Sequence, residues 1–101
     1  KEIKIKVVDK YGDAVEGIDV RLTSRVLYIN VYKMNIMEFP KVKTFRGIKT
    51  TDENGIVTID KRLSELEIYI DSEEYKTVLR KYNIMNKPIP DEIEVTLKRD
   101  E

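Results

Sequence analysis

The chain has no cysteine, histidine, tryptophan or glutamine among its 101 residues. The first two absences remove disulfides, thiolate nucleophiles, imidazole bases and the usual zinc ligands together. A nucleophilic hydroxyl at Ser24, Ser64 or Ser72 would need a lysine or an N-terminal amine as its base. Adjacent carboxylates such as Glu73-Glu74 and Asp91-Glu92 point apart on extended backbone, so they do not make a glycosidase pair. These absences predict a chain that is not an enzyme and that has no metal, no cofactor and no small-molecule substrate.

No charge of one sign dominates either, because 19 basic residues balance 19 acidic ones. Bulk charge therefore supplies neither a nucleic-acid footprint nor a patch for an anionic membrane. A run of about 18 apolar residues is also missing, as is a basic-then-apolar leader, so no membrane insertion is expected. The length suits one domain, residues 1–101, with a single core. The start at Lys1 instead of methionine suggests a piece of a larger protein. The 38 % charged content and the missing glutamine resemble thermophile proteins, in which ion-pair networks are common and thermolabile amides few.

Alternation of apolar and polar residues is abundant. Ile3, Ile5 and Val7 alternate with Lys4 and Lys6, Ile18, Val20 and Leu22 with Asp19 and Arg21, and Leu66, Ile68 and Ile70 with Glu67 and Tyr69. Ile93, Val95 and Leu97 repeat the pattern near the C-terminus, and Val42–Thr50 and Ile56–Ile59 read as further strands. Period-2 patterning marks strands with one wet face. About seven short strands with turn signals between them predict an all-β sandwich. One segment is ambiguous between helix and strand: Tyr75, Val78, Leu79 and Tyr82 sit at helical spacing behind Asp71 and Glu74, which gives a short helix near 73–82, yet the stretch 75–82 is also rich in β-formers.

Thr51-Asp-Glu-Asn-Gly55 places oxygen ligands beside a tight turn. Calcium needs six to eight oxygens, and no glutamate falls where a calcium loop would want it, so the stretch reads as a turn closed by Asn54-Gly55.

Alternation fails between Val26 and Phe39, where VLYINVYKMNIMEF is apolar on both parities. Such a run is either buried on both faces or an exposed patch. Tyr28, Tyr32, Met34, Ile36, Met37 and Phe39 include the aromatic and flexible residues enriched at interfaces. They are the candidate partner-binding residues, for another protein or for self-association. The competing reading sets Lys41, Lys43, Arg46 and Lys49 beside Tyr32, Phe39 and Phe45 as a nucleic-acid surface over 32–49, a weak expectation without bulk positive charge.

The run IKVVDKYGDAVEGIDVRL, which ends at Leu22, followed by KTTDENGIVTI, LEIYIDSEEYK and IEVTLK, resembles the transthyretin-like and carboxypeptidase-regulatory-like β-sandwiches. The likeness spans most of the chain apart from about 25–46 and implies an Ig-like, seven-strand sandwich. The hydrolase branch of that group needs histidines and a characteristic tail that this chain lacks. The resemblance therefore implies an accessory, structural or protein-binding module, often at the cell surface. None of the five asparagines lies in a glycosylation sequon, and the compartment stays open.

Overall fold

The computed structural model describes residues 2–28, 41–60 and 63–99. Their backbone forms seven strands: β1 (Glu2–Val8), β2 (Asp19–Tyr28), β3 (Lys41–Thr50), β4 (Ile56–Asp60), β5 (Glu65–Ile70), β6 (Val78–Asn83) and β7 (Glu92–Thr96). One sheet has the order β4-β1-β7 and the other β3-β2-β5-β6. All neighbours are antiparallel except β1 and β7, which run parallel with Ile5 opposite Ile93. The expected β-sandwich is what forms.

The core follows from the alternation. Ile3, Ile5, Val7, Ile93 and Val95 from one sheet meet Val20, Leu22, Leu66, Ile68 and Ile70 from the other, all buried. Lys4 and Lys6 stay exposed on the opposite parity, beside Glu92 and Glu94 of β7. Burying one large aliphatic side chain contributes about 1.5–3 kcal/mol, so this two-sided core is the main stabilising term. β1 and β2 belong to different sheets.

Two Asp-x-x-Gly turns organise the end of the sandwich where β1 leaves. Asp9 Oδ1 accepts from the backbone N–H groups of Tyr11 and Asp13 at 2.9 and 3.0 Å. Asp52 Oδ1 does the same for Asn54 and Ile56 at 2.8 and 2.9 Å. The Asp52 turn differs in detail from the expected Asn-Gly turn, because Gly55 alone takes a positive φ, +74°, and Asp52 rather than Asn54 provides the side-chain contact. A β-carbon on Gly55 would lie 2.6 Å from the Val7 carbonyl oxygen, so the site excludes every larger residue.

Thr51 is the buried polar residue among those described. Its hydroxyl donates to the Val15 carbonyl at 2.7 Å and accepts from the Ile18 N–H at 2.9 Å. Its own backbone bonds Ile18 and Gly17, which ties the β1–β2 connection to the end of β3.

The helix expected near 73–82 does not form. Val78–Asn83 is strand β6, paired with β5 so that Ile70 faces Val78 and Leu66 faces Tyr82. Val78 and Tyr82 pack against the core on the strand period, while Leu79, part of the helical stripe, is half exposed. Pairing with β5 and three β-forming residues, Thr77, Val78 and Tyr82, outweigh local helical spacing. The Asp71–Glu74 box is not used as a helix start; Ser72 Oγ accepts from the Tyr75 N–H, and Tyr75 bridges to Arg99.

Candidate binding edge and cleft

Strand β2 runs further than the alternation suggested, from Asp19 to Tyr28. It pairs with β5 only over Arg21–Arg25, whereas β3 follows it over all ten positions to Tyr28–Lys41. Residues 26–28 and 41–43 therefore form an arm that extends past the other strands of their sheet. Of the candidate partner-binding residues, Tyr28 is the last residue of β2, and Tyr32, Met34, Ile36, Met37 and Phe39 lie outside the described residues.

β3 is an edge strand, since no described strand pairs with its outer side. In an antiparallel ladder every second residue turns its N–H and C=O away from the neighbour, so β3 presents a row of free backbone groups. The other edges are shorter: five residues in β4 and β7, six in β6.

The register settles which side chains share a face. Val20 and Leu22 point into the core and stand opposite Lys49 and Gly47; the same parity holds Phe45 opposite Ser24 and Lys43 opposite Val26. Thr44, Arg46 and Ile48 occupy the outer face, opposite Arg25, Thr23 and Arg21. This sets Arg46 of the nucleic-acid reading on the outer face, away from Lys43, Phe45 and Lys49 on the inner one.

On the inner side, β3 overhangs the shorter β4. Lys49 Nζ donates to the Thr58 carbonyl at 2.6 Å and spans the two edges. Beside it the sandwich stays open as a cleft of about 490 Å³ lined mainly by Leu22, Val26, Phe45, Ile59, Leu63 and Leu66. Phe45 is 49 % exposed at its mouth, with Lys43 Nζ 5.7 Å from its ring centroid. Gly47 leaves open space on the inner face beside Leu22, for a β-carbon there would meet nothing within 4 Å.

The outer face of the same sheet carries a row of side chains bonded to one another. Glu65 accepts from Arg25 Nη1 at 2.6 Å and from Asn83 Nδ2 at 3.0 Å. Ser64 is bonded to the Arg25 carbonyl, and no described trio of acidic side chains converges on a metal-sized site. Sequence reasoning did not single out Phe45 and Gly47 as a pair; the available signal was a glycine inside an otherwise β-forming run, which marks a place where something approaches the backbone closely.

No protein-family model matches the chain, and no curated protein does. These comparisons do not confirm the transthyretin-like resemblance. Among solved structures, 3-chlorocatechol 1,2-dioxygenase from Rhodococcus opacus 1CP is similar over 98 % of this chain, with a TM-score of 0.57 and 18 % identity. This chain spans 59 % of that protein. At such identity the likeness shows a shared β-sandwich fold. It also corrects the expectation that the chain is not an enzyme: the comparable fold belongs to an enzyme, so the fold is no ground for excluding catalysis.

Proposed function

We propose that this β-sandwich is a protein-binding module that works through the β2–β3 arm and the apolar segment 26–39 that begins in it. The observation that carries this reading is the ten-residue outer edge of β3, which no described strand pairs, set along an apolar cleft. A partner strand added to β3 would gain backbone hydrogen bonds, and its inward side chains would reach Phe45 and Leu63. Affinity would come from the ladder and selectivity from the cleft. Tyr28, Tyr32, Met34, Ile36, Met37 and Phe39 are the residues proposed to meet the partner, all but Tyr28 lying outside the described residues.

The test is to pan a displayed library of random extended peptides on the folded chain and map the selected peptides by amide chemical shifts. Binders that shift β3 are expected. They should be lost when proline replaces either Thr44 or Phe45, whichever variant keeps the fold. One of these two neighbours has its N–H turned outward, so the proline there removes an edge donor without touching the β2 ladder. Selected peptides that map to β6 or to the outer face of the sheet would refute the reading.

A further inference from the structure

We propose that the partner of β3 is an acidic extended peptide that places a large apolar side chain over Gly47. This rests on the reading of β3 as a strand acceptor and adds the chemistry of what it accepts.

Charge is the first observation. Residues 41–50 hold Lys41, Lys43, Arg46 and Lys49 and no aspartate or glutamate. Two copies pairing β3 to β3 would bring eight cations together with no anion between them, so the edge rejects its own kind. The same charges admit a strand of opposite sign.

Shape is the second. A strand added to β3 lies about 4.8 Å away, with its side chains alternating between the faces. The residue facing Gly47 points to the inner face, where β3 offers no side chain and where Leu22, on the far side of β3, lines the cleft. A bulky cross-strand residue leaning over an edge glycine is a known way to cover that gap. Its neighbour two positions along faces Phe45, which favours a second apolar residue. The residue between them faces Arg46 on the outer face, and one further along on the inner face stands by Lys43. Acidic side chains at those two positions meet a cation on each face of the ladder. A nucleic-acid strand offers bases to Phe45 but no peptide groups to continue the ladder of β3.

The probe is a short synthetic peptide with tryptophan facing Gly47, valine facing Phe45, glutamates facing Arg46 and Lys43, and threonine elsewhere. The chain has no tryptophan of its own, so the indole emission reports burial of the peptide alone. A blue-shifted emission with β3 amide shifts is expected. Exchanging the glutamates for lysines should weaken binding at least about tenfold, which is about 1.4 kcal/mol. Gly47→Val has room for its side chain and a strand conformation that suits valine, so it folds. It should cost the tryptophan peptide at least about tenfold and leave an alanine analogue unchanged.

Equal binding of the lysine peptide, or tight binding that survives Gly47→Val, overturns the proposal. So does stronger binding of single-stranded oligonucleotide at β3, or self-association of the chain through that edge. If library peptides of another composition bind β3 while the probe does not, the acidic-apolar chemistry falls and the strand-acceptor reading stands. If nothing binds β3, both fall.

Discussion

Replacing Thr51 with valine keeps the shape of the side chain and removes its hydroxyl. Two backbone groups lose their partner at once: the Val15 carbonyl, 2.7 Å away, and the Ile18 N–H, 2.9 Å away. Thr51 is 4 % exposed, so water does not readily replace the missing hydroxyl. A buried polar group left without a partner costs about 1–3 kcal/mol, which for two groups gives roughly 3 kcal/mol after partial relaxation. For a domain of this size that is a fall in Tm of about 12–24 °C. Thr51→Ser is the control, because it keeps the hydroxyl and loses a methyl worth about 1 kcal/mol. Differential scanning calorimetry on the three proteins should rank wild type above serine above valine. A valine variant that melts with the wild type, or above the serine variant, would show that the hydroxyl bridge does not hold the β1–β2 connection.

Gly55→Ala should cost at least about 2 kcal/mol in urea unfolding, since alanine pays for the left-handed φ and meets the Val7 carbonyl; an unchanged midpoint would contradict this turn geometry. Ile68→Ala removes a fully buried side chain between the sheets and should cost about 2–5 kcal/mol with little change in denaturant slope. Glu65→Gln breaks an ion pair whose side chains are 42 % and 37 % exposed, so after screening its effect should stay below about 1 kcal/mol and shrink with added salt. A larger loss would mean that the Glu65 row is a cooperative network.

The sandwich was legible wherever one face of a strand is wet. Ile3-Lys4-Ile5-Lys6 and Glu65–Ile70 alternate cleanly because their outward residues meet solvent, and period-2 patterning is all that such strands need. Residues 73–82 were harder to read, because Tyr75, Val78, Leu79 and Tyr82 fit a helical stripe as well as a strand. What decided between them was pairing with β5, a non-local feature that a local pattern does not carry. The Asp-x-x-Gly turns were legible as turns, but the division of labour inside them was not. Asp52 holds two amides and Gly55 alone takes the positive φ, which depends on how closely Val7 passes. The cleft was the least legible feature: Leu22, Phe45, Ile59 and Leu63 come from four separate stretches, and only the register of β2 with β3 shows that the face shared by Gly47 and Phe45 is the inner one.

Stability and recognition sit at different places along this fold. Thr51, Gly55, Asp9 and Asp52 bond the loops at the end where β1 leaves, and their loss propagates to the core through Val7, Val15 and Ile18. The β3 positions 43–48 have no such links: Phe45 and Ile48 are exposed, and Gly47 has open space beside it. Substitutions far apart and without shared partners act additively. A change at Gly47 or Arg46 should therefore alter peptide affinity at constant Tm, while Thr51→Ser should lower Tm and leave the peptide affinity of the folded fraction unchanged. Were the two effects to move together in both variants, the β3 edge would be coupled to the loop end through the ladder of β2, and binding there would have to be measured as a contribution to folding itself.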